Sequence, residues 1–313
     1  MTYVKSIYGN KILSLLLGVQ VVVYFLIILS DVLLVNWYEY MYNSVMKRDT
    51  AQFYSALAKL MGIVLMQATL LALAAYVSDL HEAGLKKFFS SEWREFGASS
   101  DIDGIKSARA DQRLIDDASL AAERLAHTIP SIFYNLCKAM TFIVILQSFS
   151  ITSAFGVGWP LAINPIVVFG VTYVVLQWLT LKRAKLWVDR TEYMKRNLEA
   201  RLRYSILSSG RRNMGMTAKI DQYIYGVNRI RFYVTRAHSL NVFSIHWFSL
   251  CSMIIPVSLS YGLLVDGSIT FGEFMKIGAS YASFQNSFTA IFTSYREVFQ
   301  GASALRRLMT RPT

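Results

Sequence analysis

Long apolar segments alternate with polar, charged segments along the whole chain. Residues 139–181 contain no charged side chain, and these 43 positions are about twice the length that one helix needs to cross a bilayer. Gly156, Gly158 and Pro160 predict a tight reversal that divides this segment into two spans, and Pro256 predicts a kink in a later one. The pattern predicts an all-α polytopic membrane protein, with a single transmembrane domain over 1–313 and six spans at about 12–36, 57–77, 129–149, 159–181, 240–264 and 271–293.

The composition supports this assignment and excludes an ordinary soluble domain. Hydrophobic residues make up 54% of the chain, charged residues make up 17%, and the mean hydropathy is +0.37. Within the net charge of +12, 27 of the 32 Lys and Arg fall in alternate loops on one side of the predicted spans, and two fall on the other side. The positive-inside rule therefore predicts cytoplasmic termini and cytoplasmic long loops. Because the basic residues mainly report orientation, we expect no nucleic-acid partner.

Two long cytoplasmic loops, 79–128 and 182–236, lack the composition of disordered segments and are predicted to fold as helical hairpins. Residues 181–207 combine good helix formers with apolar positions and contain neither Gly nor Pro. A helix of this length extends about 40 Å beyond the membrane. The hairpins are predicted to turn near 97–104 and 208–216.

Six spans with cytoplasmic helical hairpins resemble the transmembrane half of an ABC exporter. Six short segments, in their correct order, are similar to elements of the SbmA/BacA-like peptide transporter family, which has an ABC exporter-like transmembrane domain without a nucleotide-binding domain. The segments are NWYEYMYN (36–43), WREF (93–96), ADQRLIDD (110–117), EARLRYSIL (199–207), GSITFGEFMKI (267–277) and YREVFQGASALRRL (295–308). Asn43 stands where this family usually has Asp. The motif residues expected to be structural are Trp37, Tyr38, Asp111, Gln112, Arg113 and Arg203.

The resemblance implies a multi-pass protein of the bacterial inner membrane that imports peptides, including peptide antibiotics, by proton-driven alternating access. A homodimer is expected because one exporter-like half cannot enclose a complete pathway. The closest alternative is the permease subunit of an ABC transporter with a separate ATPase chain, and a non-transporting membrane scaffold is a third. No GxxxxGK[ST] phosphate loop occurs, and the sequence ends within twenty residues of the sixth span, so we expect this polypeptide not to be an enzyme. The expected partners are a second copy, lipid and peptide, with neither cofactor nor metal, since the four His and two Cys form no ligand cluster.

Proton coupling requires groups that bind and release protons as access alternates, and carboxylates at membrane depth are the usual means. Asp31 interrupts the first apolar span, although it would also fit as an acid near the outer interface. Glu199 is a second candidate, with pairing to Arg203 at i+4 as the competing interpretation. The remaining candidates precede the third span, where helix capping explains acids equally well; they are Asp116, Asp117 and Glu123.

The sixth span is unusually polar. If it faces a water-filled cavity, its cavity-lining residues are Ser280, Ser283, Gln285, Asn286, Ser287 and Thr289. The alternative is helix packing through small residues. Three lysines also lie in predicted spans. Lys59 and Lys276 lie near span ends, where their long side chains would reach the interface. Lys138 lies within the third span, where it needs an acid or water.

Overall fold

A computed structural model describes residues 10–97, 115–149, 164–208 and 214–309. All regular secondary structure in these ranges is helical, which confirms the predicted all-α polytopic class. The helices are α1 (Lys11–Met46), α2 (Thr50–Gly97), α3 (Ile115–Ser148), α4 (Pro165–Ser208), α5 (Met214–Cys251), α6 (Ile254–Val265) and α7 (Phe271–Met309).

Five stretches within the described residues are long and apolar enough to cross a membrane, and they correspond to the first five predicted spans. They are Lys11–Met46, Thr50–Ser91, Ile115–Ser148, Pro165–Tyr204 and Asp221–Val265. Helix α7 is 39 residues long but too polar to be among them. It packs along α1 and α3, so the sixth span stays a prediction that this packing supports.

Two helices continue well past the predicted ends of their spans. Helix α2 has 48 residues and α4 has 44, so they are about 72 Å and about 66 Å long, more than twice the thickness of a hydrocarbon core. The helical character predicted for 181–207 is therefore present as an uninterrupted continuation of α4. The reversal at Gly156, Gly158 and Pro160, the motif residues Asp111, Gln112 and Arg113, and the centres of both predicted hairpin turns lie outside the described residues.

The connection between α1 and α2 is a tight turn. Arg48 has a φ of 55°, in the left-handed region, and lets the chain reverse within three residues. The Asp49 side chain then accepts a hydrogen bond of 3.0 Å from the backbone N–H of Gln52 and caps the start of α2. The first two spans are thus held as a close antiparallel pair.

Two irregularities interrupt the longer helices. Residues Arg124–Thr128 form a π-helical turn inside α3, a feature that often marks functional positions. The fifth span breaks at Ser252 and Met253, between α5 and α6. Pro256 has no N–H to donate to the carbonyl of Ser252, so the kink predicted from this proline is found just before it.

The chain forms two compact units, and the first comprises Met1–Val167 with Pro256–Thr313. In this unit α1 packs on α2 and α7, and α3 packs on α7. Small side chains at Ala121, Ala122 and Ala126 are fully buried against Leu13 and Leu85, which allows these helices to approach closely. This close approach brings the polar residues of neighbouring helices into contact.

The second unit, Val168–Ile255, contains the long antiparallel pair α4 and α5. Near one end the Tyr173 hydroxyl donates a 2.7 Å hydrogen bond to the carbonyl of Phe248, and the two rings pack edge to face. Near the other end Leu198 packs over Gly226 at 3.8 Å. These contacts hold α4 and α5 side by side, and the cytoplasmic hairpin over 182–236 stays a prediction.

Candidate ion-coupling site

Helix α1 directs a stripe of side chains, spaced four residues apart, toward its neighbours. The stripe consists of Val23, Ile27, Asp31 and Val35. Val23, Ile27 and Val35 are buried apolar residues, and Asp31 is the charged member. The Asp31 side chain is only 10% exposed. A carboxylate thus lies where the helix pattern would place another aliphatic residue.

Three side chains from two other helices surround the Asp31 carboxylate. Lys138 of α3 forms an ion pair with Oδ2 at 2.7 Å, and Gln67 of α2 donates a hydrogen bond to Oδ1 at 2.7 Å. The Tyr134 hydroxyl, one turn before Lys138, donates to Oδ2 at 3.4 Å. We call these four residues the coupling site. Both carboxylate oxygens have donors, which is what a buried charge requires.

The site resolves the question of Lys138, which needed an acid or water inside its span. Its side chain is 18% exposed, and Asp31 supplies the acid. Gln67 and Lys138 lie near the middle of the predicted spans 57–77 and 129–149, which argues against Asp31 as an acid at the outer interface. Because a lone charge at this depth would be costly, each member of the pair requires the other.

A second buried polar cluster lies about three helical turns before Asp31, toward the start of α1. Gln20 is fully buried, and its amide donates to the Ser78 hydroxyl at 2.7 Å and to the Ala126 carbonyl at 2.9 Å. Its amide oxygen lies 3.2 Å from Nδ1 of the fully buried His81. This Gln20 cluster joins α1, α2 and the π turn of α3.

An ion-pair cluster lies beyond it, where α2 leaves its predicted span. Glu82 contacts Lys86 in the next turn and His127 Nε2 at 2.9 Å, and Asp79 lies 3.7 Å from the same nitrogen. Ligand atoms of Asp79, Glu82 and His127 approach one another within 4.8 Å. Lys86 pairs with Glu82 and His127 Nε2 contacts both acids, so we describe these residues as an ion-pair cluster.

The π turn of α3 is bound to α7 through Glu297, which belongs to the last of the six sequence motifs. Arg124 pairs with Glu297 at 3.1 Å, and the Thr128 hydroxyl donates to it at 3.2 Å. A Cβ at Gly301 would collide with Arg124, so this glycine permits the close approach of the two helices. The motif therefore contributes a helix junction.

The four other predicted coupling acids occupy different surroundings. Glu123 pairs with Arg124 at 3.3 Å, while Asp116 is exposed and Asp117 is half-buried. Glu199 is half-buried within the second unit, and its nearest cations are Lys195 at 3.9 Å and Arg231 at 3.8 Å. Arg203, the expected i+4 partner of Glu199, is exposed, and Arg231 approaches instead because α5 packs antiparallel to α4. A coupling role for any of these acids stays a prediction.

The motif after the first span forms a second junction, between α1 and the start of α7. Lys276 pairs with Glu39 at 2.8 Å, and the Asn43 side chain accepts a 3.0 Å hydrogen bond from the backbone N–H of Gly272. Lys276 therefore has a carboxylate partner, where the sequence predicted that it reaches the interface. We call Glu39, Asn43, Gly272 and Lys276 the outer junction.

The aromatic residues of the same motif pack on α2 and on one another. The Trp37 indole N–H donates to the Ala56 carbonyl at 2.7 Å, and Tyr38 packs against both Trp37 and Tyr42. The structural role expected for Trp37 and Tyr38 stays a prediction, which these packing contacts support. Lys59 lies 4.1 Å above the ring of Tyr40, at the rim of an open, mostly apolar cavity of about 500 Å³.

The predicted cavity-lining residues of α7 divide into two groups within the single chain. Ser280, Gln285 and Ser287 are buried, and the Ser287 hydroxyl donates to the carbonyl of Ser283 at 2.8 Å. Ser283 and Thr289 are half-buried, and Asn286 is exposed. Burial of the first group agrees with the alternative of helix packing through small residues, and cavity lining stays a prediction.

Sequence reasoning missed several residues of these clusters, among them Gln20, Gln67, His81 and Tyr134. Gln20 and Gln67 are single polar residues in apolar stretches, and His81 lies among the charged residues that end one, patterns that also fit residues at the membrane interface. One available signal was that Asp31 and Lys138 were an isolated acid and an isolated base within predicted spans, which predicts that such groups meet.

Several long apolar helices with charged groups buried between them define the class of the protein, a multi-pass membrane protein. Residues 10–207 match the family model described as ABC transporter transmembrane region 2. This match covers more than half of the chain, and the chain belongs to that family. The exporter-like transmembrane architecture expected from the sequence is therefore supported by an independent comparison. No curated protein sequence matches the chain.

Proposed function

We propose that this protein is a proton-driven peptide transporter of the bacterial inner membrane, that it acts as a homodimer, and that Asp31 is its coupling carboxylate. The observation that carries the proposal is the buried ion pair between Asp31 and Lys138, at 2.7 Å, within a chain of the ABC transporter transmembrane family. Charged groups inside membrane spans are rare and commonly mark the pathway of an ion, a proton or a substrate.

The ion pair suggests how proton binding would bias the conformation. Protonation of Asp31 removes the negative charge that neutralises Lys138 and leaves a buried cation without a counter-ion. That state is costly as long as α1, α2 and α3 remain closed around the site. A conformation that admits water to Lys138 is then favoured, and loss of the proton restores the pair and the closed packing. The proton thereby selects between two arrangements of the same helices.

Peptide cargo and dimeric assembly rest on the sequence motifs. The segments that resemble the SbmA/BacA-like family include residues 36–43 and 295–308, and both contribute to helix junctions of the first unit. Asn286 of α7 is exposed within the single chain and is available to a second copy or to a cavity shared with one. Mass measurement of the protein in detergent would test the dimer directly.

The alternative is a permease subunit that works with a separate ATPase chain. Family membership is compatible with both mechanisms, so the energy source must distinguish them. A permease would need no titrating carboxylate in the span, whereas the proton mechanism needs one.

The deciding experiment is uptake of a labelled peptide into ATP-free proteoliposomes under an imposed pH gradient, with and without a protonophore. We expect uptake that the protonophore abolishes. The double variant Asp31→Asn/Lys138→Gln should lose this uptake, because it keeps the volume of the pair, leaves no unpaired charge and removes the titration.

The matched control is Glu39→Gln/Lys276→Gln, which neutralises the ion pair of the outer junction in the same way. It should retain gradient-driven uptake. Uptake that ignores the protonophore and appears only with an added ATPase chain and ATP would overturn the proposal in favour of the permease. Gradient-driven uptake that survives in the coupling-site double variant would reject Asp31 as the coupling group.

A further inference from the structure

One titratable group of the first unit is fully buried and has no role in the coupling site. His81 of α2 is 0% exposed, and its Nε2 atom is buried without a hydrogen-bond partner. An unsatisfied buried polar atom is costly, typically about 1–3 kcal/mol, so its retention calls for a reason.

The Gln20 cluster determines which nitrogen of His81 carries the proton in the neutral ring. The carbonyl oxygen of Ala126 can only accept, so the Gln20 group 2.9 Å away from it must be the amide nitrogen. The amide oxygen of Gln20 then faces His81 Nδ1 at 3.2 Å and can only accept. Nδ1 must therefore donate, and Nε2 is left as a basic nitrogen with an unshared electron pair.

We propose that His81 Nε2 is a second proton-binding site of this transporter, and that Gln20 is the positioning residue that fixes its tautomer. The proposal rests on the proposed function only in taking the proton as the coupling ion. Gln20 and Asp31 are 11 residues apart on α1, about 16 Å. His81 is thus placed between the coupling site and the predicted cytoplasmic end of α2.

A tyrosine pair lies between the two sites. The Tyr134 hydroxyl donates to Asp31 at 3.4 Å, the rings of Tyr134 and Tyr24 are 5.1 Å apart, and the Tyr24 hydroxyl lies 3.5 Å from the Gln20 amide nitrogen. In the transfer, the O–H bond of protonated Asp31 breaks and an N–H bond forms at His81 Nε2. The carboxylate regains its charge and its pair with Lys138, and His81 becomes a cation.

The charged surroundings of His81 give this cation a conformational effect. The titratable and charged groups at this level are Tyr24 on α1, Asp79 and Glu82 on α2, Arg124 and His127 on α3, and Glu297 on α7. None of them contacts Nε2, so the new N–H has no acceptor in the present packing. Protonation therefore favours a repacking of α2 that brings water or a carboxylate to Nε2.

The direct test is ¹⁵N NMR of histidine-labelled full-length protein in lipid nanodiscs, titrated from pH 8 to pH 5. Replacing His127, His238 and His246 by Gln leaves His81 as the single histidine signal. We expect the Nδ1–H tautomer at pH 8, conversion to the imidazolium at lower pH, and a mixture of tautomers after Gln20→Met. An Nε2–H tautomer at pH 8, or a ring that stays neutral to pH 5, would overturn the proposal.

The transport test uses His81→Asn, whose amide can still donate to Gln20 but has no basic nitrogen. We expect gradient-driven peptide uptake to be largely lost, because the variant cannot bind the second proton. His238→Asn, at an exposed position, is the matched control and should leave uptake unchanged. Unchanged uptake in a folded His81→Asn variant would remove His81 from the cycle.

The two readouts separate this inference from the proposed function. If the wild-type protein shows no gradient-driven uptake, the proposed function fails. The NMR titration still decides whether His81 binds a proton at Nε2.

Discussion

Two lysine–carboxylate pairs join helices of the first unit, and they are almost equal in length but differ in surroundings. Asp31 and Lys138 are 2.7 Å apart, and Glu39 and Lys276 are 2.8 Å apart. The Asp31 side chain is 10% exposed, whereas that of Glu39 is 33% exposed. Contact distance alone therefore does not assign a role to an ion pair, because the free-energy cost of changing its charge depends on burial.

The neighbours of the two pairs reinforce the difference. Asp31 is hydrogen-bonded by Gln67 and Tyr134, so its immediate surroundings are polar groups that respond to its charge. Glu39 belongs to the outer junction, where Asn43 binds the backbone N–H of Gly272. The second pair joins two helices at a partly exposed position, whereas the first joins helices at a buried position, where we propose that it couples proton binding to transport.

The largest effect is expected for Asp31→Asn alone, which leaves Lys138 as a buried unpaired cation. Removing one partner of a buried ion pair destabilises a protein by about 3–5 kcal/mol. Both the stability and the gradient-driven uptake of this variant should therefore fall strongly. Thermal unfolding in detergent and proteoliposome uptake would measure the two effects. The double variant Asp31→Asn/Lys138→Gln should recover most of the stability and none of the uptake. Equal instability of single and double variants would contradict the pairing.

A steric change at the outer junction should have the next largest effect on stability. A Cβ added at Gly272 would collide with the Glu39 backbone carbonyl and the Asn43 side chain, so Gly272→Ala should destabilise the protein by about 1–3 kcal/mol. Gly278→Ala on the same helix is the control, because nothing lies within 4 Å of its Cβ position. Unfolding temperatures of the two variants provide the measurement. If both changed stability equally, the close approach of α1 and α7 would be wrong.

Neutralising Glu39 alone, which leaves Lys276 without its partner, should have a smaller effect on stability and uptake. Glu39 is partly exposed, so Glu39→Gln should cost about 1 kcal/mol or less, and uptake should stay within about twofold of the wild-type value. The comparison with Asp31→Asn in the same unfolding and uptake assays would test whether burial separates the two pairs. A Glu39→Gln variant as inactive as Asp31→Asn would break that distinction.

The smallest effect is expected for Glu199→Gln. Its cations lie at 3.8 and 3.9 Å, and the Arg231 side chain is 62% exposed, so solvent screens the interaction. Stability and proton-driven uptake should both remain close to the wild-type values. Loss of uptake with unchanged stability would transfer the coupling role from Asp31 to Glu199.

Much of the fold follows from the sequence, because a long apolar segment has few options other than a helix across the bilayer. Five predicted spans correspond to helices, and the kink before Pro256 follows from its missing N–H. The polarity of α7 was compatible with cavity lining and with helix packing, and it did not distinguish the two. The pattern of spans does not specify how the helices pack on one another.

That packing determines the candidate site, which is why only part of it was predictable. Asp31 and Lys138 were each identified as charges that needed a partner, but 107 positions separate them in the sequence. Gln67 gave no signal, since one amide in an apolar span fits several environments. The same is true of Gln20 and His81, whose significance depends on a contact between helices that no local pattern specifies.

Counting protons tests the coupling claim most directly. In ATP-free proteoliposomes, a pH-sensitive dye inside the vesicles and a labelled peptide outside would report proton and peptide entry together. The wild-type protein should carry protons only when peptide is carried, in a fixed ratio, and the Asp31→Asn/Lys138→Gln variant should move neither while remaining folded. Proton-independent peptide uptake by the wild type, or an unchanged ratio in the double variant, would contradict coupling through Asp31 and Lys138.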